Sequence, residues 1–332
     1  MTDKWFFSES NILITGGTGS LGQALIHKFL LLDYPPRRVI SYARRWSDQE
    51  SLAQSLNNSH FRTFIGDVRD VDRLKVALRN VDFVIHAAAL KSVPDCEYSP
   101  SEALQTNING TWNVLRAAID CGVERLLFIS TDKAVAPLNT YGRSKAFAES
   151  LVIAGNSYSG GYPKLSAVRY GNVLGSTGSV LGRFCDLMRD NKPIVLTNPA
   201  ATRFWVTMDT AVEFVLNSLE MMRGGEIFVP KLKSSTILEF AQALGATDIE
   251  VSELRPGEKL HELLIQPNEN SRVYDVGTCY LIVPSFHTWD GAETYGVENK
   301  SHAPEDFIYD SFHADRYDLI NLKGVLNNVL HR

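Results

Sequence analysis

Short apolar runs alternate with amphipathic stretches along the first half of the chain. Strands are predicted at 11–15, 38–42, 61–65, 82–86 and 123–129. Helices are predicted between and after them, at about 20–32, 70–79, 101–120 and 141–157. Strands that are apolar throughout are typical of parallel sheets with helices on both faces. The pattern therefore predicts an α/β fold built on a doubly wound parallel sheet.

The first predicted strand leads into a glycine pattern with the spacing Gly16-x-x-Gly19-x-x-Gly22. Glycines at such positions allow a tight turn, a close approach of a pyrophosphate and close packing of helix on strand. The amino terminus of the following helix then stabilises the phosphate charge. This strand–turn–helix unit predicts a dinucleotide site.

The end of the second strand reads Ala43-Arg44-Arg45, and no acidic residue occupies positions 41–46. An acid here suits the ribose 2′-hydroxyl of NAD, whereas arginine suits the 2′-phosphate of NADP, so NADP is predicted. Asp67 is placed to bond the adenine amine. The residues predicted to bind the cofactor are Gly16, Thr18, Gly19, Ser20, Leu21, Gly22, Arg44, Asp67, Val68, Ala87, Ala88, Ala89, Tyr141, Lys145, Tyr170 and Asn172.

Candidate chemistry follows the fifth strand, in Ser130-Thr131-Asp132-Lys133 and in Tyr141-x-x-x-Lys145. The carboxyl ends of strands are where open α/β sheets place their active sites. Tyr141 and Lys145 are four residues apart on a helix, so they share one face. We expect the Lys145 ammonium to favour a Tyr141 phenolate, which would act as a base.

A sixth strand is predicted over 166–173, and a second glycine-rich turn at 175–179 opens a helix that reaches about Arg189. Such a turn suits a second diphosphate, here that of a substrate. The Arg255-Pro-Gly-Glu258 turn offers a cation for phosphate or base and a carboxylate for ribose. His86 is either a substrate contact or a satisfied core histidine. The residues predicted to bind substrate are Lys91, Asn172, Ser179, Val180, Thr202, Arg203, Arg255 and Glu258.

Composition mainly argues against other classes of protein. With 332 residues and a formal net charge of −5, and without a Lys/Arg run, the chain is not expected to bind nucleic acid. The four cysteines lack a C-x-x-C spacing, so they are expected to be reduced thiols without a metal. We expect no signal peptide and no membrane segment, and hence a soluble cytoplasmic protein.

Composition becomes more polar and more interrupted after about residue 170. We predict a cofactor-binding domain over 1–170 to which later segments return. A mainly substrate-binding domain is expected over 171–300, and a peripheral segment over 301–332.

Several motifs together resemble a known family. They are TGGTGSLG, GDVRD, HAAALKSVP, TNINGT, STDKAVAPLNTYGRSK, VRYGNVLGSTGSV, TRFWVT and RPGEKLHE, between about residues 10 and 266. The chain resembles the extended short-chain dehydrogenase/reductases, with their Rossmann fold. More narrowly it resembles the soluble inverting UDP-N-acetylglucosamine 4,6-dehydratases of the pseudaminic acid pathway.

The resemblance implies that the substrate is oxidised at C4, loses water across C5 and C6, and receives hydride at C6, with C5 inverted. Tyr141 would take the C4 hydroxyl proton, while Ser130, or Thr131, bonds the forming carbonyl. Lys133, held neutral, would remove the C5 proton, and Asp132, held protonated by a raised pKa, would donate to the leaving C6 hydroxyl. It also implies a tightly bound, recycled NADP and a homo-oligomer, with a hexamer as one form.

Three alternatives remain at this stage. A retaining 4,6-dehydratase would give the other C5 configuration, although the retaining relatives typically have methionine where this chain has Tyr141. A UDP-sugar 4-epimerase or simple reductase would use Tyr141 and Lys145 but needs no acid–base pair at 132 and 133. A non-enzymatic dinucleotide sensor would not be expected to keep Ser130, Tyr141 and Lys145.

Overall fold

The structure is a computed structural model, and it describes residues 6–285, 295, 297 and 300–331. The elements of the first half are β1 (Asn11–Thr15), α1 (Ser20–Leu30), β2 (Arg38–Ala43), α2 (Trp46–Leu56), β3 (Phe61–Ile65), α3 (Val71–Ala77), β4 (Phe83–His86), α4 (Val93–Tyr98), α5 (Pro100–Ala103), α6 (Gly110–Cys121), β5 (Arg125–Ile129), α7 (Thr140–Tyr158) and β6 (Lys164–Val168). Those of the second half are β7 (Asn172–Val173), α8 (Val180–Arg189), β8 (Ile194–Leu196), β9 (Thr202–Val206), α9 (Met208–Met221), β10 (Ile227–Pro230), β11 (Lys233–Thr236), α10 (Ile237–Ala243), β12 (Ile249–Val251), β13 (Leu263–Ile265), β14 (Val273–Asp275), β15 (Cys279–Ile282), β16 (Ser301–His302), β17 (Tyr309–Asp310) and α11 (Leu319–Leu330).

The main sheet has ten strands among the described residues, in the order β16-β14-β15-β10-β6-β5-β4-β1-β2-β3. The strands from β10 to β3 are parallel, and the three at the other edge pair antiparallel. β1 is buried along its whole length, as expected for a strand covered on both faces. The predicted doubly wound α/β fold is confirmed.

Helix boundaries follow local capping chemistry. The Asn139 side chain accepts a hydrogen bond from the Gly142 amide at 2.8 Å, which starts α7 one residue before the predicted Tyr141. Ser179 caps α8 in the same way, and Asp70 caps α3. Each cap satisfies a backbone amide that would otherwise lack a partner at the start of a helix.

The predicted helix over 101–120 is divided. It consists of α5, a π-helical segment Leu104–Asn109 and α6. Asn107 lies in the π-helical segment, and its side chain bonds both the amide and the carbonyl of Leu90, just beyond β4. The irregular turn therefore supports the loop at the end of β4.

The predicted sixth strand over 166–173 is also divided. β6 ends at Val168, and β7 pairs with β9 in a separate three-stranded sheet. Between them lies Arg169, whose side chain is 3% exposed and pairs with Glu149 at 2.6 Å and Glu269 at 2.8 Å. The apolar pattern of residues 166–173 does not reveal that these two carboxylates come from distant segments of the chain.

A second apolar cluster lies apart from the core of the main sheet. It contains Trp205, which stacks on Phe240, and the fully buried Leu322 and Leu326 of α11. α11 packs on α10, while β10, β14, β15 and β16 belong to the main sheet. The boundaries predicted at 170 and 300 remain predictions. Among the described residues, no helix combines the length and apolarity that crossing a membrane requires.

Candidate active site

A cavity of about 460 Å³ opens at the carboxyl ends of the parallel strands. It runs from the glycine turn after β1, past the ends of β2 and β4, to the start of α7. It is lined by every residue predicted to bind the cofactor except Asn172, and by Ser130, Thr131 and Lys91. Residues far apart in the sequence therefore converge on one site, as the parallel topology requires.

The glycine turn fits a dinucleotide. Gly16 has a φ of +71°, and a side chain at Gly22 would place its Cβ 2.4 Å from the Gly16 carbonyl oxygen. The turn is therefore closed tightly, and α1 begins at Ser20 with its amino terminus beside the cavity. Backbone amides there are available to bind phosphate oxygens.

The end of β2 brings a cation to the cavity. The Arg44 side chain is 65% exposed, and its Nη1 lies 4.0 Å from the Asp67 carboxylate. Arg45 is engaged with Asp48 at 2.9 Å. Both Arg45 and Asp48 line the cavity, although neither was predicted to bind the cofactor. Asp48 lies beyond positions 41–46, where an acid for the ribose hydroxyl is expected.

Ser130 and the residues after it are held by the neighbouring strand. The Ser130 amide donates to the Val168 carbonyl at 2.8 Å, and the Asp132 amide donates to the Tyr170 carbonyl at 3.1 Å. Asp132 to Ala134 then form a 3₁₀ turn capped by Thr131. The Ser130 hydroxyl is buried without a hydrogen-bond partner among the described residues, so it is free to bond a bound ligand.

The start of α7 packs closely on this turn. A side chain at Gly142 would place its Cβ 2.2 Å from the Lys133 carbonyl oxygen, so glycine is required next to Tyr141. Tyr141 and Lys145 are both buried and both line the cavity. The predicted catalytic face of α7 therefore meets the 3₁₀ turn directly.

The prediction that Tyr141 is a phenolate is wrong when only the protein's own residues are considered. Burial raises the pKa of Tyr141 to about 12, and burial lowers the pKa of Lys145 to about 7. The Lys145 Nζ donates to the Ile129 carbonyl at 2.6 Å and lies 3.8 Å from the centre of the Phe128 ring. Desolvation disfavours both charged forms, which the i, i+4 spacing alone does not reveal.

The prediction that Lys133 is a neutral amine is also wrong when only the protein's own residues are considered. Its Nζ lies 3.0 Å from Asp132 Oδ1 and 3.7 Å from Glu262 Oε1. Burial alone would lower the pKa of Lys133, but these two carboxylates outweigh burial and raise it above the ordinary lysine value. Lys133 is therefore an ammonium in this arrangement, paired with Asp132.

Asp132 is completely buried. Its Oδ1 accepts hydrogen bonds from Lys133 and from the Thr131 hydroxyl, at 3.0 and 2.9 Å. Its Oδ2 has no hydrogen-bond partner among the described residues. One carboxylate oxygen thus fixes the pair. The other is also buried, and neither Asp132 nor Lys133 is among the residues that line the cavity.

The residues predicted to bind substrate fall into two groups. Lys91 lies at the cavity, where its Nζ donates to the Thr177 carbonyl at 2.7 Å, and Thr177 in turn bonds Ser20. Ser179 and Val180 start α8 beyond that turn. Asn172, predicted to contact cofactor and substrate, does not line the cavity and accepts a hydrogen bond from Lys133 at 3.3 Å.

The second group lies behind the Asp132–Lys133 pair. Arg203 is 6% exposed and pairs with Glu258 at 3.0 Å, so these predicted ligand groups bind each other. Arg255 is exposed, and the turn that follows it bonds the α7 cap through Asn139 and the Gly257 carbonyl. Thr202 is buried, with its hydroxyl bonded to His261 and Ser311.

His86 is a core residue. Its ring nitrogens contact the hydroxyls of Thr15 at 2.7 Å and Thr111 at 3.0 Å, and the residue is fully buried. Burial, helped by the nearby Lys145 charge, lowers its pKa to about 3, so the imidazole is neutral. The core alternative for His86 is therefore the one the contacts support.

Glu262 is the buried acidic residue that the sequence analysis missed. It is 3% exposed and lies within 3.7 Å of both Lys133 and Lys259, and 3.9 Å from Arg203. It belongs to the RPGEKLHE motif, of which only Arg255 and Glu258 were predicted to bind substrate. Its position just before the apolar strand β13 was the signal in the sequence that could have indicated a buried acid.

A glycine turn, a Tyr-x-x-x-Lys pair and a serine at the end of the preceding strand define a short-chain dehydrogenase/reductase site. The chain belongs to the family described as "Polysaccharide biosynthesis protein", whose profile matches residues 12–284. The predicted resemblance to this class of enzymes is thereby confirmed.

Two curated relatives are similar over nearly the whole chain. The UDP-N-acetylglucosamine 4,6-dehydratase (inverting) of Campylobacter jejuni is 41% identical over 312 residues, covering 92% of this chain and 93% of that protein. The UDP-glucose 4-epimerase of Rickettsia felis is 38% identical over 331 residues, covering 97% of each.

Two solved structures share the fold. Pen from Bacillus thuringiensis has a TM-score of 0.88 and 31% identity, covering 98% of this chain and 99% of that one. The dTDP-glucose 4,6-dehydratase of Streptomyces venezuelae, solved with NAD bound, has a TM-score of 0.68 and 25% identity, covering 75% of this chain and 86% of that one. These likenesses confirm the predicted enzyme class, a nucleotide-sugar 4,6-dehydratase, and support a nicotinamide dinucleotide as cofactor.

Proposed function

We propose that this enzyme is an NADP-dependent, C5-inverting UDP-N-acetylglucosamine 4,6-dehydratase. Its product would be the UDP-linked 4-keto-6-deoxy-N-acetylhexosamine. Its action in the cytoplasm as a homo-oligomer, with a hexamer as one form, stays a prediction. The observation that carries the proposal is the contact between Asp132 and Lys133, which follow the cavity-lining Ser130 by two and three residues. An oxidation at C4 alone has no use for this pair, whereas elimination of water needs both a base and an acid.

The pair holds one shareable proton. Moving that proton from Lys133 to Asp132 along their 3.0 Å hydrogen bond produces an amine and a carboxylic acid. The amine then removes the C5 proton, which the neighbouring ketone has acidified. The acid donates to the departing C6 hydroxyl through the Asp132 side chain, whose Oδ2 is without another partner among the described residues. Lys133 is still the base and Asp132 still the acid, as expected from the sequence. A proton must first pass from Lys133 to Asp132 before either can act.

Tyr141 would accept the C4 hydroxyl proton as a phenolate, after its own phenol proton has been lost, and the unpartnered Ser130 hydroxyl donates to the forming carbonyl oxygen. A bound nicotinamide would supply a hydride acceptor and donor and, when oxidised, a positive charge. Within the protein, the Lys133 charge and a hydrogen bond with Thr131 both favour the phenolate against burial. Burial therefore raises the pKa of the phenol, and contacts with Lys133 and with the capping residue Thr131 partly oppose burial.

Arg44 supports NADP over NAD. Because its guanidinium is exposed at the cavity and only loosely paired with Asp67, it is available for a 2′-phosphate. Replacing Arg44 by aspartate is expected to weaken NADP binding relative to NAD by about 10- to 100-fold, the worth of a hydrogen bond to a charged group. Dissociation constants for both cofactors measure this change.

The matched control is Arg38→Asp, at the opposite end of β2, where the same charge change leaves the preference intact. An Arg44→Asp protein that keeps the parent preference for NADP would remove the basis for choosing this cofactor.

The proposed reaction is tested by incubating the enzyme with UDP-N-acetylglucosamine and no added reductant. The product is expected to be lighter by one water molecule and to carry the inverted C5 configuration by proton NMR. The same mass loss with retained C5 configuration would make the enzyme a retaining dehydratase. Unchanged mass would contradict the proposed reaction.

A UDP-sugar 4-epimerase is the second candidate, favoured by the relatives of that name at 38% identity. An epimerase uses Tyr141 and Ser130 for oxidation and reduction at C4 and keeps the C6 oxygen. A product of unchanged mass with the opposite C4 configuration would therefore identify an epimerase.

A further inference from the structure

The described residues behind the catalytic pair form a buried cluster of charges. Lys133 contacts Asp132, Glu262 lies between Lys133 and Lys259, and Arg203 lies between Glu262 and Glu258. The side chains of Asp132, Glu262 and Arg203 are each less than 8% exposed. Burying charges so completely is unfavourable unless each one is paired, so the contacts must be specific.

Glu262 is fixed in place by its backbone. Its amide donates to the Ser311 hydroxyl at 2.9 Å, and its carbonyl accepts from the Ser311 amide at 2.8 Å. β13 begins at the next residue and pairs with β17. The carboxylate therefore reaches Lys133 from a rigid segment that is 129 residues away in the chain by numbering.

We propose that Glu262 is a positioning residue for the elimination step: it holds Lys133 as an ammonium directed at Asp132, and so sets how readily the shared proton passes to Asp132. This inference rests on the proposed function. Neither Glu262 nor Lys133 is among the residues that line the cavity. It acts on the reaction only through Lys133.

The balance of charges around Lys133 gives the sign of this effect. Asp132 and Glu262 stabilise the ammonium, whereas Arg203 opposes it. Lys259 lies on the other side of Glu262, and its charge and that of Lys133 disfavour each other. Tyr141 approaches from α7 as a neutral phenol, and Asn172 accepts a hydrogen bond from the amine. Removing the Glu262 charge must therefore make Lys133 lose its proton more easily, and removing the Lys259 charge must do the opposite.

The test measures the proton on Lys133 without using the reaction. Trace acetic anhydride acylates only neutral amines, and the Lys133 side chain is 26% exposed, so acetylation of Lys133 can be followed by peptide mass spectrometry from pH 7 to pH 10. The exposed Lys323 serves as the internal reference. In Glu262→Gln, relative labelling of Lys133 is expected to rise at least about tenfold at a given pH, because an opposite charge at this distance is worth about one pKa unit or more.

Three further variants make the result decisive. Glu262→Asp keeps the charge and should restore labelling close to that of the parent. Lys259→Gln should lower the labelling of Lys133 below that of the parent. This decrease tests the inference even if Glu262→Gln does not fold. Glu269→Gln removes a buried carboxylate from the separate Arg169 pair and should leave Lys133 labelling unchanged. Amide hydrogen exchange over residues 131–135 reports any loosening of the turn.

Labelling of Lys133 that is unchanged in both Glu262→Gln and Lys259→Gln would overturn the inference. So would a rise in Glu262→Gln that is matched by faster amide exchange over 131–135, since a loosened turn would then explain it. Because no substrate is involved, a parent enzyme that fails to dehydrate UDP-N-acetylglucosamine would refute the proposed function and leave the labelling result intact.

Discussion

Asp132→Asn is expected to slow formation of the dehydrated product by about 10²- to 10⁴-fold, the range of a lost general acid. Asparagine fills the same space but cannot donate a proton to the C6 hydroxyl. Oxidation at C4 uses Tyr141 and Ser130 and should continue, so the reaction stops before hydride is returned. We therefore expect reduced cofactor to accumulate on the enzyme, which near-ultraviolet absorbance detects as soon as substrate is added.

Asp275→Asn is the matched control for this substitution. Asp275 pairs with Lys231 at 2.8 Å on the surface, so the same change removes an Asp–Lys ion pair away from the cavity. This control should form product at the parent rate without accumulating reduced cofactor. If Asp132→Asn released product as fast as the parent, Asp132 would not be the acid.

Tyr141→Phe is expected to lower the overall rate by a similar factor, about 10²- to 10⁴-fold, for a different reason. Phenylalanine cannot accept the C4 hydroxyl proton, so the first oxidation fails. Neither product nor reduced cofactor should appear, in contrast with the Asp132 variant. The two substitutions thus stop the reaction at different steps, which absorbance and mass spectrometry together distinguish.

Tyr280→Phe provides the comparison for Tyr141→Phe. Tyr280 packs against Phe307 and Tyr309, away from the cavity, so loss of its hydroxyl should leave the rate unchanged. Rapid accumulation of reduced cofactor in Tyr141→Phe would show that another group accepts the C4 proton.

Much of the fold and of the cofactor cavity could be predicted because their signals are local. A strand, a glycine turn and a helix are consecutive in sequence, and parallel strands bring successive loops to one edge of the sheet. The path of the chain after Val168 could not be predicted in the same way. At that point Arg169 forms buried pairs with Glu149 and Glu269, which lie 20 and 100 residues away and leave no signal in a short stretch of sequence.

The protonation states of the catalytic groups were the other failure. Spacing placed Tyr141 beside Lys145 and Asp132 beside Lys133, but burial and a distant carboxylate determine their charges. The Lys145 amine is buried under the end of β5, and Lys133 is held by Glu262 from beyond the 255–258 turn. Both effects depend on the folded arrangement and have no counterpart in a short sequence window.

The central claim is that hydride leaves C4 and returns to C6 of the same sugar after water has been lost. It is tested most directly with UDP-N-acetylglucosamine carrying deuterium at C4 and no added reductant. We predict a dehydrated product with deuterium in its C6 methyl group, and no deuterium left on the enzyme's cofactor. Deuterium that remains at C4 of a sugar still holding its C6 oxygen would contradict this account.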